Sequence, residues 1–305
     1  MLLCTSGTAT ALDGVTVVLS EEGGAYAQIA DKLRNSLAQN SNTAKLSVRI
    51  VVLQSFKGGE VSRSDPEQLL VAVGTSAMQF IAASNPAQPV MNVLVPRAAF
   101  EKTARQGGRL GDSRHFSAIY LDQPWARQFA LIRHVLPART RIGILLGPDS
   151  DELAASLRVA AKKTGLDATI AIVSDETDLM PSVKHLVSEC EAILAIPDPA
   201  IYNRGTIQSI LLTAYRQQIP LFGFLPSYVK AGALAAVYSE SEQIGQQLAE
   251  TIMRLPAERP SLPPPQTPKY FSVATNQQVA RSLGIHLDDE ASLLNKLKRS
   301  PDPEP

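Results

Sequence analysis

At 305 residues, 45% hydrophobic and 19% charged, the chain is long enough to bury a large core and to divide into two globular domains, which excludes a disordered protein. Its 29 Lys and Arg balance 29 Asp and Glu, so no overall positive field favours nucleic acid or an anionic membrane surface. No uninterrupted apolar run approaches the ~20 residues that cross a bilayer, and Cys4 and Cys190 are too few for a disulfide scaffold or a four-cysteine zinc site.

The start, MLLCTSGTATALDG, lacks a basic segment and a full apolar region, yet Ala9, Thr10 and Ala11 form an A-x-A-like cleavage site before Leu12. Residues 1–11 read either as the remnant of an export signal or as a disordered cytoplasmic N-terminus, and the expected location, on the first of these, is periplasmic. The bulky Leu3 before Cys4 argues against lipid anchoring there. Val15 to Leu19 is a first apolar run, followed by Gly23 and Gly24 and a helical stripe of Ile29, Leu33 and Leu37. Strands are predicted at Val48 to Leu53, Leu69 to Val73 and Val90 to Val95, with helices over Ser76 to Ala83 and Ala98 to Arg105. A glycine-rich charged interval, Gln106 to Arg114, interrupts the pattern. Ala118 to Leu121 resumes it before an amphipathic helix carrying Trp125, Phe129, Ile132 and Leu136, and the first domain crossing is placed there.

The second half repeats the order. Arg141 to Leu146 is a strand, Leu153, Leu157 and Ala160 mark a helix, and strands follow near Ala168 to Val173 and Ala192 to Ile196. After the loop PDPAIYN, Ile207, Ile210, Leu211 and Ala214 recur at helical spacing and a second apolar run spans Ile219 to Phe224, giving a strand, crossover helix and strand. Ile244, Leu248 and Ile252 define a late helix. The proline cluster Pro256 to Pro268 suits an extended return or linker, and Phe271 to Ala274 with a helix near Gln277 to Leu283 precede a polar tail. The expected division is lobe 1 over 12–117 plus 239–258, lobe 2 over 118–238 plus 259–297, and a disordered tail at 298–305.

In open parallel sheets small molecules bind beyond the carboxyl ends of the strands. That rule singles out Asp198, Tyr202, Asn203, Ser227 and Tyr228 in the second half, and Gly24, Tyr26, Gly74, Thr75 and Ser76 in the first. Gly74 to Ser76 would gather backbone N–H groups and hydroxyls at a helix N-terminus, which accepts a carboxylate or simply caps the helix. Asp198, between Pro197 and Pro199, can pair with a ligand amine or hydroxyl or cap the next segment. Tyr26, Tyr202 and Tyr228 offer ring faces to a planar or apolar solute, or pack. Asp122 and Gln123 sit at the crossing, as ligand contacts or hinge.

Enzyme signatures are sparse. GTSAM at Gly74 to Met78 places Met78 where a nucleophile elbow needs glycine, the phosphate-binding, dinucleotide and HExxH patterns are missing, and His115, His134, His185 and His286 have no metal-ligand spacing. No catalytic residue, metal or cofactor is assigned.

The segments AILAIPDPAIYN, IPLFGFLPSYVKAGALAAVYSESEQIGQQLAE and FSVATNQQVARSLGIHL, with VAVGT and TSAMQFIA in the first half, resemble the substrate-binding proteins of ABC transporters, a branch with the type I periplasmic binding fold. The resemblance covers roughly Leu12 to Leu297. It implies an α/β protein of two doubly wound parallel-sheet lobes joined by three crossings, whose hinge closes an interlobe cleft on a small-molecule solute for delivery to an ABC permease. Some relatives take amino acids. By matching position, the loops holding Thr75, Asp198 and Tyr228 would face the cleft and Gly232 would allow the turn into the next strand. Pro199 and Ala200 stand where amino-acid-binding relatives have a polar pair. The shortage of charged anchors among these residues leaves a rival reading, a module that keeps this fold and docks a partner protein; an enzyme would need a nucleophile and base within hydrogen-bond reach.

Overall fold

The computed structural model describes residues 12–55, 68–109, 111–256 and 261–300. Residues 1–11, with Cys4 and the expected signal remnant, and most of the expected tail lie outside them. The chain forms two compact units, one running through Leu121 and again over Ser241–Tyr270, the other over Asp122–Glu240 and from Phe271 onward.

The first unit is built on five parallel strands in the order β2-β1-β3-β4-β5: β1 (Gly14–Leu19), β2 (Ser47–Val52), β3 (Gln68–Val73), β4 (Val90–Val95) and β5 (Phe116–Tyr120). Period-2 alternation sends Val15, Val17, Leu19, Val71 and Met91 to one face, against α1 (Gly24–Gln39) and α9 (Ser241–Met253). Val18, Leu70, Ala72 and Val90 go to the other, with Met78 and Ile81 of α2 (Thr75–Ala83) and Phe100 of α3 (Arg97–Gln106). Both faces are covered, so these strands read as continuous apolar runs.

The proline-rich stretch belongs to this unit. Leu262 donates its N–H to the Arg114 carbonyl at 3.0 Å, Gln266 donates to Ala118 at 2.8 Å and receives the Tyr120 N–H at 2.9 Å. Pro263 to Pro265 between them have no N–H to place, so the segment is a strap along β5 and not a strand. Two expectations are thereby corrected. Residues 261–270 join the first unit and not the second, and residues 118–121 do too, because β5 pairs with β4 in register.

The second unit has the order β11-β10-β9-β8-β6-β7, from β6 (Arg141–Leu146), β7 (Asp167–Ile172), β8 (Ala192–Leu194), β9 (Leu221–Gly223), β10 (Ala235–Tyr238) and β11 (Ser272–Thr275). All pairings are parallel except β10 with β11. One face packs on α6 (Glu176–Glu189) and α7 (Ile207–Arg216), through Leu179, Val183, Leu186, Ile207, Ile210 and Leu211. On the other side α4 (Trp125–Val135) packs against α5 (Ala154–Lys163), α11 (Glu290–Arg299) and β10. The short helices α8 (Pro226–Ala231) and α10 (Gln277–Ser282) complete it. Both units are doubly wound α/β layers, as expected.

Candidate functional site

The carboxyl ends of β1 and β3 in the first unit carry a built corner. Ser20 extends β1 by donating its N–H to the Val73 carbonyl at 3.0 Å, and its Oγ accepts the Ala77 N–H at 2.9 Å. Ser20 thus caps α2 from the neighbouring strand, because the N-cap residue Gly74 has no side chain to do so. Gly74 is required here: its φ is +93°, and a Cβ would meet Ser20 Oγ and Tyr26 Cε1 at 2.6 Å each. Thr75 and Ser76 open α2, half-buried and exposed. Their amide N–H groups and hydroxyls make no hydrogen bond among the described residues, which leaves donors at the positive end of the helix. Tyr26, half-buried beside Gly74, has its phenol pushed up by burial and then by Glu21. Gly24 lies exposed at the start of α1 with φ +52°.

In the second unit Asp198 follows β8 and is 2% exposed. Its Oδ2 accepts the Ser150 hydroxyl at 2.6 Å and the Gly147 N–H at 3.1 Å, and its Oδ1 accepts the Ala200 N–H at 2.9 Å. Gly147 must lack a side chain, since a Cβ would reach both carboxylate oxygens at 2.8 Å. The carboxylate therefore fastens the loop after β8 to the loop after β6. Of the two roles expected of Asp198, the bond from the Ala200 N–H has the geometry of the cap, and the protein's own donors satisfy the buried carboxylate.

Beyond Asp198 three rings converge. Phe224 and Tyr228 meet edge to face at 4.9 Å and Tyr202 and Phe224 likewise at 6.0 Å, while Tyr202 and Tyr228 are tilted at 41° with centroids 6.4 Å apart. The Tyr228 hydroxyl donates to the Tyr202 carbonyl at 3.1 Å. Tyr202 is 5% exposed, its hydroxyl has no hydrogen-bond partner among the described residues, and the phenol titrates far above the ordinary range through burial first and then Tyr228 and Asp198. Asn203 shapes the same loop by accepting the Gly205 and Thr206 N–H groups at 2.9 and 3.2 Å. Ser227 stands exposed in the first turn of α8. Asp122 is buried where the second unit begins, next to Gln123.

Within each unit the structure gathers the expected residues at strand carboxyl ends: Gly24, Tyr26, Gly74, Thr75 and Ser76 in one, Asp198, Tyr202, Ser227 and Tyr228 in the other. Sequence reasoning missed Ser20, Gly147, Ser150 and Phe224. Ser20 had a signal, since it ends the β1 run as Gly74 ends the β3 run; Ser150 had none. Among the described residues no group of three His, Cys, Asp or Glu is placed to hold a metal ion, and no helix is long and apolar enough to cross a membrane.

Residues 113–296, more than half of the chain, match the family described as ABC transporter substrate binding protein. The chain belongs to that family. No curated protein matches the sequence. Among solved structures, this family member is similar to an ABC domain from Streptococcus pneumonia in complex with L-Trp, at 17% identity and a TM-score of 0.62, covering 93% of this chain and 97% of that one. A substrate binding protein with adhesive properties from Clostridium difficile, in its ligand-free, open form, matches at 14% identity and a TM-score of 0.68 over 90% and 96% of the chains. A conserved domain protein from Vibrio cholerae matches at 20% and 0.62 over 93% and 98%. At these identities the likeness shows the fold, and the fold is that of periplasmic binding proteins. The family is one of solute binding rather than catalysis.

Proposed function

We propose that this protein is the extracytoplasmic receptor of an ABC transporter, which captures one small solute and presents it to a permease. The family match over residues 113–296 carries the reading. The free donors of Thr75 and Ser76 receive the anionic end of the solute, and Gly24, Tyr26 and Gly74 shape the surface around them. In the second unit Asp122, Tyr202, Ser227 and Tyr228 are the candidate contacts, with the Tyr202 hydroxyl offered to an acceptor and the rings to a planar or apolar part. Asp198 acts indirectly, by holding the loop that carries Tyr202. Binding shifts an equilibrium between open and closed forms.

A thermal-shift screen of amino acids, nucleosides and small carboxylates tests the reading, because a solute that binds only the folded protein raises its apparent stability. The expected hit carries a carboxylate, and Thr75→Pro, which removes one free N–H at a first-turn position that tolerates proline, weakens it. Silence across the whole panel, or a hit indifferent to Thr75→Pro and to Tyr202→Phe, overturns the assignment of the site.

A further inference from the structure

The chain passes between the two units three times, at Leu121–Asp122, Glu240–Ser241 and Tyr270–Phe271. On the side of the second unit one buried side chain touches the first and third passages and reaches the second through Gln123. Arg127, in the first turn of α4, donates from Nη1 to Gln123 Oε1 at 2.7 Å, and its guanidinium carbon lies 4.0 Å from the centre of the Phe271 ring. Gln123 in turn donates from Nε2 to Ser239 Oγ at 2.8 Å, and its carbonyl accepts from Gln128 Nε2 at 3.1 Å. Residues just after the first passage, just before the second and just after the third are thereby tied together.

The first unit holds its own ends of the passages separately. Leu121 donates to the Val95 carbonyl at 2.8 Å. α9 starts at the second passage and grips the approach to the third: Gln247 accepts the Lys269 N–H at 2.7 Å and donates to the Thr267 carbonyl at 3.1 Å, while Glu250 accepts the Tyr270 hydroxyl at 2.6 Å and the Lys269 ammonium at 3.0 Å. Between these fixed ends only the passage residues themselves remain to absorb a change in φ and ψ.

We infer that Arg127 is a positioning residue that yokes the three passages, so that they bend as one hinge and not as three independent linkers. Arginine suits the task because a planar guanidinium can stack on a ring and donate in its own plane at once, which a lysine ammonium cannot. Buried networks of this kind respond as a unit when one member is lost. The role of such a hinge rests on the binding reading; its existence does not.

Native-state hydrogen exchange on the intact protein tests the inference without any solute. In Arg127→Lys, amides in three separate segments, 120–128, 236–243 and 266–274, are expected to exchange faster together, by about tenfold, while β3 and β8 keep their protection. Phe271→Leu, which removes only the stacking surface, is expected to accelerate the 120–128 and 236–243 segments as well as its own. A purely local packing role for Arg127 would move α4 alone. That outcome, or acceleration confined to the mutated segment in Phe271→Leu, overturns the inference, and the second variant decides the matter should Arg127→Lys fail to fold. A protein that binds no solute leaves these rates unchanged, so the two proposals fail separately.

Discussion

The Ser150 hydroxyl donates to the Asp198 carboxylate at 2.6 Å, and both residues are buried. A buried charge satisfied by protein donors is costly to disturb, because each donor left behind loses its partner. Asp198→Ala is therefore expected to lower stability by about 3 kcal/mol and Ser150→Ala by about 1–2 kcal/mol. Asp198→Asn should cost nearly as much as alanine, since its amide N–H₂ would face a group that also donates. Urea denaturation of the three variants checks the order.

Tyr202 offers a change of opposite sign. A buried hydroxyl without a partner opposes folding, so Tyr202→Phe is expected to leave the solute-free protein as stable as before or up to about 1 kcal/mol more stable. The same variant should weaken any solute found in the screen. Denaturation midpoints and titration calorimetry on one preparation separate the two effects, and a loss of stability without solute would remove the hydroxyl from the proposed site.

Gly74→Ala places a methyl group against Ser20 and Tyr26 at a positive φ. Strain and overpacking together predict a loss of about 2–4 kcal/mol. Ser20→Ala removes only the cap on α2 and should cost about 1 kcal/mol. Thermal unfolding that ranked Ser20→Ala as the worse of the two would contradict this account of the corner.

Acid sensitivity has a source at Glu191. Its carboxylate accepts the Thr140 and Arg141 N–H groups at 3.0 Å each, and these bonds, Arg141 first, hold it below the ordinary glutamate range. A depressed folded value means that the unfolded chain binds the proton first, so the stabilisation is complete above the unfolded value and is lost as pH falls through the folded one. Glu191→Gln should thus be less stable than the native protein at pH 7, with a gap that narrows below about pH 4.5. Denaturation curves collected from pH 7 to pH 3 give that gap directly.

The legibility of the chain followed burial. β1, β3 and β4 declare themselves because both their faces are covered, and α2 because it follows directly on such a run. α6 was missed: Pro181 interrupts it and its first turn is acidic, yet Asp175 caps it by accepting the Thr177 and Asp178 N–H groups. α11 was missed as well, since the polar tail masked Leu293 and Leu297, which are buried, and the Asp289 cap is a local signal easily read as a turn. At the site, the residue types and strand ends were readable, but their partners were not. Asp198 lies 48 residues from Ser150, and Ala77 57 residues from Ser20. Only the folded sheet brings such pairs together, so the sequence showed an acidic loop residue without showing that its charge was already spent.

The strap along β5 has a consequence for the company this sheet can keep. An outer strand with free amide and carbonyl groups is a template on which another chain can add itself, and edge-to-edge growth of this kind leads to aggregation. Here the position beside β5 is taken by a segment whose outward continuation is interrupted by Pro263, Pro264 and Pro265. A stray strand arriving there finds pyrrolidine rings where it needs donors. The prolines that spoil the strap as a strand make it a terminator for the sheet.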